Sequence, residues 1–199
     1  MPKTVFLFVL LCGASLVAAG QSNDLAGVVG VKITPSASST SGTTTVNKAL
    51  GFEGSFAHQI KGMSLAALQV ELPVMVTPKS TVNSSNFFAS KSYSSIYVTP
   101  GIRLRFAPSA SVSPWVAVGV GIARFNPSAT SQVGGTNPAT GALKGAGDAG
   151  GGLDFKAPGL PLTFRVEVRE YFSGAPNLNI PSLSLHNNIF AGGGVVLRF

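Results

Sequence analysis

Beyond position 20 the chain alternates apolar and polar residues with a period of two, in stretches of about ten residues, the signature of β-strands with two distinct faces. The pattern predicts eight strands. The first four run over Asp24–Ile33, Leu50–Ile60, Leu65–Val76 and Ser95–Phe106. The last four run over Trp115–Arg124, Gly145–Lys156, Leu162–Phe172 and Asn188–Phe199. The sixth is the weakest, with only Leu153 and Phe155 opposite Asp148, Asp154 and Lys156. The links between strands alternate in length. Those at 61–64, 107–114 and 157–161 are short, whereas those at 34–49, 77–94, 126–144 and 173–187 are long and rich in Ser, Thr, Asn, Gly and Pro. This alternation around eight strands predicts an all-β fold, an eight-stranded antiparallel up-and-down transmembrane β-barrel.

The chemistry of the two faces decides between lipid and water outside. A barrel in water places its apolar face inside and a polar face outside. Here the second face of the fifth strand is Ala117, Gly119, Gly121 and Ala123, and that of the eighth is Phe190, Gly192, Gly194 and Val196. Neither suits water, but small residues suit a narrow lumen. The rows of Val, Leu, Ile and Phe then face lipid. An outward Arg at the bilayer midplane costs about 2–4 kcal/mol, so the charges on the second face must point inward. They are Glu53, Glu71, Arg103, Arg105, Asp154, Arg165, Glu167 and Arg169. Around the turn "KAPGLPLT", a hairpin that sets Ala157 opposite Leu162 sets Asp154 opposite Arg165. Mixed signs in a narrow lumen imply a salt-bridged plug rather than a water channel.

Composition sharpens this picture. Charged residues are 11% of 199, against about 25% in ordinary soluble domains, while apolar residues reach 45%. Residues 1–20 combine a basic start at Lys3, an apolar run over 5–11 and the small residues Ala18, Ala19 and Gly20, which reads as a cleaved signal peptide. The mature domain is then 21–199. The single cysteine, Cys12, falls in the signal segment, and Leu11 before it is not the small residue a lipidation signal needs. Loss of Lys3 with the signal segment lowers the formal charge from +7 to +6, which gives the mature chain a weak tendency toward anionic surfaces such as lipid headgroups.

The last strand carries the most specific signal. In "GGGVVLRF", Val195, Leu197 and Phe199 hold the period of two to the final residue. With "AGDAGGGLDFK", "FRVEVREYF" and "LHNNIFAGGGVVLRF" as the last three strands, the sequence resembles the eight-stranded outer-membrane β-barrel family of Gram-negative-type bacteria. The group is similar to the OmpA transmembrane domain and to OmpW. The resemblance implies location in the bacterial outer membrane, contact with outer-membrane lipid and lipopolysaccharide, and a C-terminal signal formed by Val195, Leu197 and Phe199 and read by the barrel assembly machinery. No peptidoglycan-binding domain follows the barrel, so cell-wall tethering is not implied. The family shares a fold more than a function.

Other motifs fall away. "GAGDAGGG" lacks the Lys-Ser/Thr and the strand-to-helix context of a phosphate loop. His58 lies on the apolar face of the second strand, near its end, and His186 beside the last strand, without the ligand spacing of a metal site. No GxSxG-type stretch supports a catalytic triad. The expectation is a non-enzyme without cofactor, metal or nucleic-acid partner. Its long loops meet lipopolysaccharide, a surface or another cell. The alternative is a small porin-like channel for ions or small apolar solutes.

Overall fold

A computed structural model describes residues 22–35, 37–39, 42–159, 162–178 and 185–199; the predicted signal peptide lies outside the described residues. The strands are β1 (Asn23–Ile33), β2 (Ala37–Ser39), β3 (Gly42–Val46), β4 (Ala49–Gly62), β5 (Ala66–Ser84), β6 (Ser92–Val98), β7 (Gly101–Phe106), β8 (Val112–Pro127), β9 (Ala142–Lys156), β10 (Leu162–Gly174) and β11 (Leu185–Arg198). All pairings are antiparallel. The ring runs β1–β4–β5–β6/β7–β8–β9–β10–β11 and closes on β1, with β6 and β7 sharing one strand position between β5 and β8. These are eight strand positions, and no sheet edge remains in the wall.

Three features depart from the sequence pattern. The predicted fourth strand, Ser95–Phe106, is broken into β6 and β7 at Thr99 and Pro100. Proline has no N–H to give the ladder. Pro100 still accepts from Val120 N at 3.1 Å, so the register is the same on both sides of the break. The link expected over 77–94 is partly strand. β5 runs on to Ser84 through a register shift between Thr77 and Ser80, and it carries Val82 inward. The link expected over 34–49 contains the hairpin β2–β3, which pairs with that extension of β5.

Strand stagger fixes the width. Following paired residues around the ring from Asn23 passes His58, Val70, Ile102, Val118, Ala149, Glu170 and Ile189 and returns to β1 at Ile33, ten residues higher. Such a shear tilts the strands and leaves an interior that side chains can fill. Asn23 and Phe199 exchange backbone hydrogen bonds of 2.8 and 3.0 Å, so first and last strands meet at one end. The turns after Gly62, Phe106 and Lys156 lie at that end. The longer links, after Ile33, Ser84, Pro127 and Gly174, lie at the other.

The outward rows form an apolar belt. Val29 is 50% exposed, Ile102 52%, Val118 55% and Val166 47%, each flanked in sequence by inward residues. A continuous exposed band of this kind is foreign to a monomer in water and suited to hydrocarbon. Aromatic rings mark its lower border, with Phe106, Phe155 and Phe164 outward near the termini.

A closed ladder resists detergent at room temperature, so the folded protein is expected to migrate apart from the boiled chain in detergent gels. Gly194 is the sensitive point, because a Cβ there would overlap the carbonyl oxygen of Gly27 on β1. Gly194→Val should cost about 1–3 kcal/mol by overpacking. The measurement is the folded fraction across a urea series; an unchanged midpoint contradicts the close β1–β11 approach.

Candidate functional site

Inward side chains divide the interior into two layers. The layer nearer the termini is ionic. Glu53 and Glu71 come from β4 and β5, Arg103 and Arg105 from β7, Asp154 from β9, and Arg165, Glu167 and Arg169 from β10. All eight are buried, none more than 4% exposed. Strand parity sends them inward, as alternate positions on rows whose other members are Val, Leu, Ile and Phe.

Arg169 is the hub. Its guanidinium meets Glu71 at 2.8 Å, Asp148 at 2.9 Å and Glu53 at 3.3 Å. β5 and β10 occupy opposite positions in the eight-membered ring, so the Arg169–Glu71 bridge crosses the barrel. Glu71 also receives Arg103 Nη1 at 3.2 Å. Tyr171 donates to Glu53 Oε2 at 2.7 Å. Glu167 is held loosely, 4.0 Å from both Arg165 and Arg169. Trp115, on β8 and 1% exposed, packs its ring among the cations. The guanidinium carbons of Arg165, Arg169 and Arg103 lie 4.8, 4.9 and 5.5 Å from its centroid, a cation–π arrangement that draws strength from desolvation.

Toward the termini the same layer continues. Asp154 and Arg165 are register partners, and the guanidinium donates twice, Nε at 2.8 Å and Nη2 at 3.0 Å. Arg198 Nη2 reaches Asp154 from β11 at 2.6 Å. Asp24, on β1, accepts from Arg103 at 2.6 Å, Arg105 at 3.1 Å and Gln69 at 3.3 Å. Sequence reasoning left Asp24, Asp148 and Arg198 out of this set. Their inward parity was readable: Asp24 alternates against Leu25, and Arg198 against Leu197. Asp24 and Arg198 sit at strand ends, where parity alone does not say whether a side chain turns into the lumen or out to water.

The layer nearer the long links is aromatic and polar. Tyr93, Tyr97, Phe125, Tyr171 and Phe190 are buried, and Phe125 meets Tyr93 and Tyr97 edge-on with centroids 6.0 and 5.7 Å apart. Lys32 Nζ donates to Tyr93 Oη at 3.3 Å and lies 4.7 Å from its ring centroid. Tyr93 Oη also bonds His186 Nε2 at 2.9 Å. Thr34 Oγ1 donates to Asn188 Oδ1 at 2.6 Å, and Asn188 Nδ2 to Tyr97 Oη at 2.7 Å. His186 is thus a lumen residue. His58 is exposed on the outward row and bonds Asn23 Oδ1 at 2.9 Å, close to the termini.

At the chain end, Val195 and Leu197 point outward, 42% and 45% exposed, and Phe199 pairs its backbone with Asn23.

No family model and no curated protein matches the sequence. Similarity appears in solved structures. Neisserial surface protein A is 13% identical, with 90% of this chain and 98% of that chain covered and a TM-score of 0.51. The outer membrane protein OprG from Pseudomonas aeruginosa is 9% identical, covering 90% and 96%, with a TM-score of 0.53. The outer membrane enzyme PagL is 15% identical over 88% and 99%, with a TM-score of 0.46. The fold is that of the small eight-stranded outer-membrane β-barrels.

The ion-pair geometry carries an asymmetry. Asp154→Ala leaves both Arg165 and Arg198 without their nearest carboxylate, whereas Arg165→Ala leaves Asp154 with Arg198. Breaking a dry buried pair costs about 3–5 kcal/mol. Asp154→Ala is therefore expected to lower the unfolding free energy more than Arg165→Ala, and the double variant to lose less than the sum. Denaturant titrations of the four proteins measure this. Strictly additive losses would refute the coupling.

Proposed function

We propose that this chain is an outer-membrane barrel with a closed lumen, whose role is structural and surface-directed rather than transport. The observation that carries this reading is the Arg169–Glu71 bridge between opposite strand positions, with Trp115 stacked among three guanidinium groups beside it. A solute would have to part an interlocked set of salt bridges in a lumen lined elsewhere by buried rings. Barrels of this class put short turns in the periplasm and long loops outside the cell. On that basis the end with the termini is periplasmic, and the links after Ile33, Ser84, Pro127 and Gly174 are the external loops.

The outer end supports contact with an anionic surface. Lys48, Lys79, Lys91, Arg124 and Lys144 are exposed toward it, and none has a carboxylate partner among the described residues. Glu170 is the exposed acid of this half, and it is engaged by Asn187 Nδ2 at 3.1 Å. The partners in this reading are outer-membrane lipid, lipopolysaccharide and a ligand on a facing surface. The alternating Val195, Leu197 and Phe199 serve as the segment that the barrel assembly machinery reads.

In planar bilayers the wild-type protein is expected to give little or no steady conductance, and Arg169→Ala or Glu71→Ala to raise it. Large, stable wild-type openings would overturn the closed lumen and move the function to transport. Phe199→Ala should reduce the folded protein recovered from membranes while leaving the unfolding midpoint of the assembled fraction nearly unchanged. Equal yields for wild type and variant would count against the assembly role.

A further inference from the structure

The belt is not uniformly filled. On the outward faces of β8, β9 and β10 lies an apolar cleft of about 590 Å³, lined by Val120, Gly121, Gly145, Ala146, Phe172 and Ser173. Its origin is in the sequence. The lipid-facing positions of β9 near its outer end are Gly145 and Gly147, between the bulky rows of β8 and β10. Register sets Gly147 between Val120 on one side and Phe172 on the other. The Phe172 ring leans over Gly147, where a Cβ would strike it, while a Cβ on Gly145 would meet nothing within 4 Å. The open part of the cleft is thus at Gly145, toward the outer end.

Two cations stand at that end. Arg124 continues the outward row Val120, Ile122, and Lys144 precedes Gly145. They lie on adjacent strands one register step apart, since Arg124 pairs with Leu143 and Ala123 with Lys144. The Lys144 stem runs across Gly174, within 3.3–3.5 Å of the place a Cβ there would take, and so borders the top of the cleft. Both residues are exposed, and neither has a carboxylate partner among the described residues. Glu170 faces outward lower on β10 and is turned to Asn187 on the β11 side.

An apolar slot open to hydrocarbon, capped by two free cations at the headgroup level, fits a phosphorylated lipid. We propose that the β8–β10 cleft holds an acyl chain of a phosphate-bearing glycolipid of the outer leaflet, with Arg124 and Lys144 binding its phosphate. This rests on the surface-directed reading above and gives it a molecular partner. A second cleft of about 520 Å³, around Gly27, Gly54 and Gly193, lies mid-belt without an exposed cation at its edge and is assigned no headgroup. It supplies a control.

The test uses the folded full-length protein in detergent and native mass spectrometry, with bisphosphorylated lipid A, its dephosphorylated form, a zwitterionic phospholipid and inorganic phosphate as separate probes. Wild type should retain one lipid A and lose it at least about tenfold more readily when the phosphates are removed or in Arg124→Ala/Lys144→Ala, each surface cation contributing several-fold. Inorganic phosphate should not compete, because it lacks the chain. Gly145→Leu fills the open end of the cleft with both cations kept, and should weaken retention by a similar factor. Gly54→Leu, also in open space, and the charge-preserving Arg124→Lys should not. Detergent-gel mobility before and after boiling checks that each variant is folded. Retention lost with the cations but unchanged in Gly145→Leu would overturn the site in favour of diffuse charge attraction. Equal retention in all variants would place the lipid elsewhere and sink the proposal while leaving the surface-directed reading intact, and that reading fails separately on wild-type conductance.

Discussion

Backbone hydrogen bonding in hydrocarbon governs the rest of this structure. Each N–H and C=O in a bilayer must find a partner within the protein, and strands manage this only by closing into a ring. β1 therefore pairs with β11 along its length, from Asp24–Arg198 to Ile33–Ile189. Closure with a ten-residue stagger sets the bore, and the bore sets what the inward face can be. The outward face must be apolar. The charges within the apolar belt are then forced into one narrow interior, with solvation available only from other side chains, while Arg124 and Glu170 face outward nearer the long links.

Confinement explains the composition of the ionic layer. Its carboxylates are Asp24, Glu53, Glu71, Asp148, Asp154 and Glu167, and its cations are Arg103, Arg105, Arg165, Arg169 and Arg198. Arginine is the suitable cation, because its planar fork bonds two or three carboxylates at once and is less strongly hydrated than an ammonium. Arg169, with partners on β4, β5 and β9, uses this fully. Lys32, the buried lysine among the described residues, is placed in the other layer, where its partner is a tyrosine and not a carboxylate. Buried ion pairs add little net stability over a well-packed apolar core of the same volume. Their specificity here is geometric: apart from the loose Glu167 contacts within β10, the bridges join different strands, so a slipped register leaves charges stranded.

Most of the wall was legible from the period of two alone, because lipid outside and a packed lumen inside impose opposite demands on alternate residues. The inward set on β4, β5, β7, β9 and β10 follows from the same parity, and a hairpin count puts Asp154 beside Arg165. What parity could not give was the partner list. Arg169–Glu71 and Tyr171–Glu53 join residues 98 and 118 positions apart in sequence, on strands that are not neighbours in the ring, and only closure brings them together. The break at Thr99–Pro100 preserves alternation, so the pattern read through it. The β5 extension past Val76 was hidden because Pro78 and Lys79 interrupt the rhythm at the register shift, and the remainder is Ser, Thr and Asn of the kind that also makes loops.

The glycines tie wall and lumen together. Read by propensity, Gly150, Gly152 and Gly119 weaken their strands. Each instead makes room for a long inward neighbour. A Cβ on Gly152 would lie 2.8–2.9 Å from the Trp115 ring, one on Gly150 would lie 2.5 Å from Arg169 Cγ, and one on Gly119 would meet Asp148. β9 thus supplies small residues where β8 and β10 supply Trp115 and Arg169, and β8 supplies Gly119 where β9 supplies Asp148. In a bore of fixed width, summed volume is conserved across facing strands, as in any close-packed interior. The weak, glycine-rich appearance of the sixth predicted strand is the imprint of the arginine and the tryptophan that lie against it, Arg169 at Gly150 and Trp115 at Gly152. The same economy shows on its outer face at Gly145, where no inward demand applies and the space stays open to lipid.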